Sequence, residues 1–541
     1  MKKFIFLPVL LLIIALLAGC GVAGGGGADT PSEPAGAATA ADAGAAAADP
    51  AEAPPRQLTI AHHEIWAPGF SINDGLPVFE ELARRLDIDI TWEVLPDGDQ
   101  YMTNARARLA AGVNLPDIMR IPGGVEDAMR YARQGLFLRL NPLIESYGPD
   151  IITLFERYPE ILAGMSDPDG NIYFLANYTL DSPTGRGMVI RRDWAQEHGF
   201  DELPRTIDEW TRFLLAVRDH GAGGHEPGTI VPFGGNPRFF SSGFGIPVQQ
   251  SDAVFFWPYD GVIQHCVMRD EYRDYLEFAN WLFTEGMLDP MFGAGQTQID
   301  DLVNQGLVAG NTNFPGTTDI WISTIMATTG VEADLMWYFT PEGPQGQPGW
   351  VPFHTVRNAI LMGITKDARD PALAMEFFNY VYGNEDGKRL VMAGIEGEMW
   401  DWVDGVLTFQ DHMINHPQYN IITRLRQMGA FFIMDSQNKE FNDARAGGVL
   451  RVTLARIYDN PDRWLEALPS FVPSESEQDV IMQVWPDIRD FIEEMNMRFI
   501  MGTEPLENFD AFRATLENLG IERLNEVYQA MYERYKAHLG R

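Results

Sequence analysis

The sequence predicts an α/β chain organised as two lobes. Three observations lead there: beyond residue 56 short strand-like runs alternate with amphipathic helical runs, a second such alternation begins near residue 187, and no fixed-period repeat occurs. With 45% hydrophobic and 11% aromatic residues, a chain of 541 residues can bury a large core, which excludes disorder as its overall state.

The first residues read as an address. Lys2 and Lys3 precede an apolar stretch over 4–18 that runs into Leu17-Ala18-Gly19-Cys20. That is the pattern of a secretory signal peptide (1–20), and its last four residues resemble a bacterial lipobox, in which Cys20 carries the lipid. The apolar stretch is shorter than the ~20 residues a membrane span needs and contains Pro8. Residues 21–56 are rich in Ala, Gly and Pro and hold no aromatic residue, so they cannot form a core. As a flexible coil they would span roughly 30 Å. The expected arrangement is an anchor, a tether, and a body displayed outside the cytoplasm on the cell membrane.

In the body, a strand over 58–61, a helix over 76–86, a strand over 88–95, a helix over 101–111 and a strand over 117–121 follow from apolar positions spaced by two or by three to four. Strands separated by helices imply right-handed crossovers and a largely parallel sheet, with ligands beyond the carboxyl ends of the strands. The loop after the first strand, His62-His63-Glu64-Ile65-Trp66, therefore places an aromatic residue at that edge. A turn at 167–171 precedes an apolar run at 172–176, and a strand is expected at 187–191. Thr206 with Glu209 three residues later marks a capped helix to 219. Helices are expected at 271–285, 317–329, 371–382 and 385–393, a strand at 359–365, and mostly helix from 479 onward.

The formal net charge of −36, from 40 basic and 76 acidic residues, argues against nucleic acid as a partner, since phosphate contacts need clustered cations. With only Cys20 and Cys266 there is neither a disulfide framework nor a CxxC motif, and Cys266, within an apolar run, reads as a buried small residue. His62, His63 and Glu64 are adjacent, so in an extended segment they point to opposite faces, and no HExxH spacing occurs; no metal is expected there. Asp167, Asp169 and Asn171 copy the first ligands of a calcium loop, but Ile172 stands where glycine is required and Tyr178 where the bidentate glutamate belongs, which leaves a turn as the simpler reading. No GxxxxGK[ST], GxGxxG or GxSxG motif is present, so neither a phosphate cradle nor a serine elbow is expected.

The informative signal is aromatic. Trp66, Tyr178, Trp257, Tyr259, Trp321, Trp350, Trp400 and Trp402 fall in or near loops and segment ends. Aromatic planes stack on the apolar faces of sugar rings, so as a set they favour a carbohydrate-sized cleft. The same side chains also build cores. A secreted glycoside hydrolase would use the same stacking with a pair of carboxylates, and nothing in the sequence singles out such a pair.

These features resemble extracellular solute-binding proteins of family 1. The resemblance rests on the lipobox and tether, Pro116-Asp117-Ile118 followed by Tyr131-Ala132-Arg133-Gln134-Gly135-Leu136-Phe137, the Asp169-Gly170-Asn171-Ile172-Tyr173 turn, and Arg191-Arg192-Asp193-Trp194 before Thr206-Ile207-Asp208-Glu209-Trp210. Glu285-Gly286-Met287-Leu288-Asp289-Pro290 and Gly394-Ile395-Glu396-Gly397 with Trp400 agree with it, and the likeness runs over nearly the whole body. It implies a periplasmic-binding-protein type II-like fold, not an enzyme: two lobes (57–175 with 362–408, and 176–361 with 409–541), a hinge of strands crossing near 174–178, 358–363 and 407–411, and ligand held between them. It also implies a monomeric receptor for a sugar or oligosaccharide, without cofactor or metal, that delivers its ligand to the membrane-spanning subunits of an ABC permease. Trp66, Tyr178, Trp257, Asn313, Trp321 and Trp400 are the residues it nominates for the ligand. A sensory or peptide-binding lipoprotein on the same fold is the remaining alternative.

Overall fold

The structure is a computed structural model that describes residues 56–541 apart from 66, 68, 96–97, 249–255, 293–295, 417–418 and 435. The signal segment, Cys20 and the tether lie outside the described residues. The strands in chain order are β1 Gln57–His63, β2 Asp89–Leu95, β3 Ile118–Arg120, β4 Leu175–Leu180, β5 Gly187–Arg191, β6 Val231–Phe233, β7 Phe256–Tyr259, β8 Val262–His265, β9 Val308–Asn313, β10 Leu335–Tyr338, β11 Val356–Ile364, β12 Trp400–Val403, β13 Val406–Phe409 and β14 Gln437–Asn438. They form a six-stranded sheet in the order β14-β4-β11-β3-β1-β2, a four-stranded sheet in the order β10-β5-β9-β6, and two hairpins.

The first sheet is parallel where helices intervene, β1 with β2 and with β3, and antiparallel where β11 returns against β3 and β4. Helices Pro77–Leu86 and Gly98–Ala111 make the crossovers. Buried Tyr101 ties two strands together, its hydroxyl donating to the carbonyls of Ala61 (3.2 Å) and Arg120 (2.7 Å). In the second sheet, β9 lies between β5 and β6. Gly187 admits the close approach of Trp337: a Cβ there would stand 2.4 Å from the indole Cζ2. The helix Ile207–His220 starts with the capping box read from the sequence, Thr206 Oγ1 accepting from the Glu209 amide and the Glu209 carboxylate from the Thr206 amide. Elsewhere boundaries move by one to three residues, and the last residues of the 371–382 helix form a π turn, Asn379–Gly383.

Two separate large apolar cores result. The first is built from residues of 58–180 and 356–441 with Val472, the second from residues of 188–350 and 449–531. The division differs from the expected one in three places, the first being that all of β11, from Val356 rather than from 362, belongs to the first sheet. Strand β4 is wholly buried and belongs to the first sheet, so the chain leaves the first lobe after residue 180. The crossing expected at 407–411 is instead the second arm of the β12–β13 hairpin, where Trp400 faces Phe409 and Trp402 faces Leu407, and buried Phe409 belongs to the first core. The third passage follows β14, which pairs with β4 at Gln437↔Thr179, and runs through the helix Lys439–Ala444 into the helix Gly448–Asp459.

Candidate ligand site between the lobes

At the carboxyl end of β1, His62 and His63 are fully buried, and each Nδ1–H donates to a carbonyl, of His63 and of Glu64 respectively. Their rings pack edge to face with Phe432 at 4.5 and 5.0 Å. Burial, and then the nearby Arg120 charge, hold His62 well below the ordinary histidine range. Glu64 folds the loop that follows: its carboxylate accepts from the amides of Ile65 (2.8 Å) and Ile72 (2.9 Å) and from Ser71 Oγ (2.8 Å). Trp66 belongs to this loop and lies outside the described residues.

In the second lobe, β9 ends in Asn311-Thr312-Asn313, all buried, and Phe314 leads into the helix Pro315–Thr329. Proline opens that helix with its fixed φ and needs no amide partner. Trp337 Nε1 donates to the Asn313 carbonyl (3.0 Å), and Asn313 Oδ1 accepts the Phe314 amide (2.8 Å). Phe314 stacks on Phe353 (5.7 Å, 22°), with Arg186 over Phe314 (5.1 Å) and Arg357 over Phe353 (4.5 Å). This four-layer stack stands where the chain passes between lobes.

A cavity of about 610 Å³ opens beside it. The second lobe lines it with Gly316, Asp319 and Ile322 of the Pro315 helix and with Leu335 and Met336. The first lobe contributes Ile414, Asn415 and 420–422, and the crossing chain 444–452 closes it. Its charges are largely engaged. Arg192 pairs with Asp334 (2.8 Å). Asp319 accepts the amides of Val449 (2.7 Å) and Leu450 (3.2 Å), and burial raises its carboxyl above the ordinary range despite those bonds. The lining holds no aromatic side chain.

None of the five described candidates lines this cavity. Tyr178 is buried in the first core, its hydroxyl donating to the Tyr382 carbonyl (3.0 Å). Trp400 is buried there too, with Nε1 on the Gly394 carbonyl (2.9 Å). Trp321 lies on the core side of the Pro315 helix, whose opposite face meets the cavity. Trp257 sits in the β7–β8 hairpin, which Gln529 and Asn525 of the last helix fasten down through Ile263 and His265. Asn313 holds the strand end. For Tyr178, Trp321, Trp400 and Asn313 the ring or amide is consumed by its own lobe, and Trp257 is half-buried on its hairpin. The residues missed are Arg186 and Phe353, which meet at Phe314, far from either in sequence, and Arg445, which the fold brings beside Gly316.

The Asp167 turn is self-contained. Asp167 Oδ1 accepts the amides of Asp169 (2.9 Å) and Asn171 (2.8 Å), which spends the carboxylate on the turn. Among the described residues no group of three or more His, Cys, Asp and Glu could hold a metal, and no helix is long and apolar enough to cross a membrane. Cys266 is free and buried, and burial pushes its thiol up.

Residues 76–388, more than half of the chain, match the family model of the bacterial extracellular solute-binding proteins. The chain belongs to this family. Among curated proteins it is similar to the fructooligosaccharide ABC transporter substrate-binding protein FusA of Streptococcus pneumoniae serotype 4, at 21% identity over 490 residues, covering 85% of this chain and 87% of FusA. Among solved structures, this solute-binding protein resembles the alginate-binding protein AlgQ2 without calcium ion (TM-score 0.72, 22% identity, 88% of this chain and 98% of that one). It also resembles FusA in complex with kestose (0.69, 18%, 89% and 100%) and an HMO-binding, ABC-transporter-associated solute-binding protein of Bifidobacterium longum infantis (0.69, 17%, 89% and 99%). The fold is thus the two-lobe fold expected from the sequence.

Proposed function

We propose that this solute-binding protein captures a sugar or oligosaccharide between its lobes and hands it to the permease of an ABC importer. One observation carries the reading: a cavity of about 610 Å³ to which both lobes and a crossing segment contribute. A solute there gains its full set of contacts only when the lobes are together, so binding shifts the population toward the closed form. The oligosaccharide ligands of FusA and of the similar structures give the class of solute. In this reading Trp66, on the loop that Glu64 folds, supplies a stacking face for the sugar. Cys20 carries the lipid, residues 21–56 are the tether, and the body works outside the cell membrane as a monomer without catalytic residues.

A thermal-shift screen of residues 57–541 against mono- and oligosaccharides, with reducing ends assayed in the same wells, tests it. Stabilisation that rises with sugar concentration and releases no reducing ends supports the receptor. Turnover would make the protein a hydrolase, and silence across the sugars would turn the search to peptides.

A further inference from the structure

The two walls of the cavity offer different chemistry. On the second lobe, Gly316, Asp319, Ile322 and Ser323 share one face of the Pro315 helix by their spacing of three and four, opposite buried Trp321 and Ile325, and that face meets the cavity. Asp319 is the charged member of the four. Its carboxylate reaches the start of the helix Gly448–Asp459, whose N-cap, Gly447, has no side chain to offer. Oδ1 accepts the Val449 amide (2.7 Å) and Oδ2 the Leu450 amide (3.2 Å). Glycine at 448 admits this approach, since a Cβ there would stand 2.4 Å from Oδ1. A carboxylate has about four acceptor positions, so each oxygen keeps one for a donor arriving from the cavity. The amides and the helix N-terminus favour its charged form, against the burial that raises its carboxyl. The first-lobe wall offers amides instead. Asn420 Oδ1 is spent on the Thr423 amide (3.0 Å), which leaves the NH2 group as its donor. Asn415, at the end of the helix Asp411–Ile414, lines the cavity and is exposed. The other charges of the lining have partners of their own: Arg192 pairs with Asp334, Arg451 donates to the Ala446 carbonyl (3.0 Å) and Arg445 to Asn442 Oδ1 (2.8 Å).

Resting on the receptor reading above, we infer that Asp319 is the specificity-determining residue of the cavity: its carboxylate takes two adjacent hydroxyls of a neutral oligosaccharide, while Asn415 and Asn420 donate to oxygens of the same solute from the first lobe. Adjacent ring hydroxyls present paired donors, which suit the paired acceptors of a carboxylate. A uronate brings a second carboxylate to the same place, and like charges in a site shielded from water repel, so Asp319 also rejects acidic sugars. Acceptor and donors belong to different lobes. The full set is therefore made only when the lobes are together.

The test is titration calorimetry at neutral pH on wild type, Asp319→Asn and Asn415→Ala, with kestose and further neutral oligosaccharides as one series and alginate oligosaccharides of matching length as the other. Wild type should bind a neutral sugar at least about tenfold more tightly than any alginate oligosaccharide. Asp319→Asn should move the two series in opposite directions, losing about tenfold or more toward the neutral sugar and gaining toward alginate. A loosened helix cap alone would weaken both. Loss on both series, or on neither, therefore overturns the inference. So does wild type that takes alginate oligosaccharides as tightly as the neutral ones, a result that needs no variant to fold. Asn415→Ala, at an exposed position outside both cores, should lose about fivefold toward the neutral sugar. Unchanged affinity there overturns the first-lobe half of the grip, and wild type silent over both series overturns the receptor reading instead.

Discussion

Three histidines are locked neutral inside this protein, and its stability should report it. His62 and His265 are buried, and His354 is largely so. Burial lowers His265 to about 3 and His354 to about 4. In the unfolded chain each titrates near 6.5, so below that pH the unfolded state binds protons the folded state refuses, and stability falls as pH falls. The contribution is complete above about pH 7 and is lost progressively down to the folded values. Between pH 7.5 and 5 each group loses about 2 kcal/mol, about 4 kcal/mol for His265 and His354 together. A competing effect has the opposite sign: protonating carboxylates relieves the self-repulsion of a chain of net charge −36. The two separate in a difference measurement. Wild type and a His265→Gln/His354→Gln variant carry the same carboxylates, so in urea denaturation at fixed ionic strength the gap between their unfolding free energies should narrow by about 4 kcal/mol from pH 7.5 to 5. A gap constant within 1 kcal/mol would refute the claim that these rings stay neutral in the fold.

Three further outcomes follow from the geometry. Gly187→Ala forces a Cβ to within 2.4 Å of both the Trp337 ring and the Tyr338 carbonyl, and should lower unfolding free energy by about 1–3 kcal/mol; a neutral result in urea titration would show that β5 and β10 can part cheaply. Burial favours the neutral form of Asp117, but hydrogen bonds from the Arg369 side chain and from the Arg369 and Thr59 amides outweigh it and hold the carboxyl below its ordinary range. Its stabilisation is therefore present above pH 4 and lost on further acidification, so Asp117→Asn should flatten the acid limb of a stability profile. Glu64→Ala removes three hydrogen bonds that fold the 64–72 loop and should raise the sugar Kd about tenfold or more with little change in Tm, because the binding-competent loop becomes less populated; an unchanged calorimetric Kd would take this loop out of the site.

Much of the fold was legible because it is written locally. The capping box at Thr206 and Glu209, the helix at 385–393 and the strand at 187–191 emerge where their composition placed them. The long-range pieces were not. Strand β4 has no exposed face, so it shows no alternation, and β14 is two residues whose pairing depends on a strand some 260 positions away. The crossing that the resemblance implies at 407–411 is the second arm of a hairpin, because a short strand looks the same whether it turns back or passes on. The site was harder still. Spacing places Tyr178, Trp321 and Trp400 near segment ends, yet it cannot say which way a ring faces, and all three face inward. Arg445 carries no local mark, since what makes it notable is its approach to Gly316, far off in sequence.

The inward aromatics bear on how such a protein can close. Tyr178, Tyr382 and Trp400 complete the first core, and Trp321, Trp337 and Trp350 the second, so each lobe satisfies its large rings by itself. Parting two self-contained lobes exposes little of either core, which keeps an open form within a few kcal/mol of the closed one and lets a solute decide between them. The surfaces that meet are made for close approach. Gly316 is glycine for space, since a Cβ there would stand 2.9 Å from Ile422 of the first lobe, and the wall of the cavity beside it carries no aromatic ring that would have to interlock. Rings between the lobes would have joined the cores and held the molecule shut. Placing them inside leaves closure to the contacts that a ligand brings to both lobes.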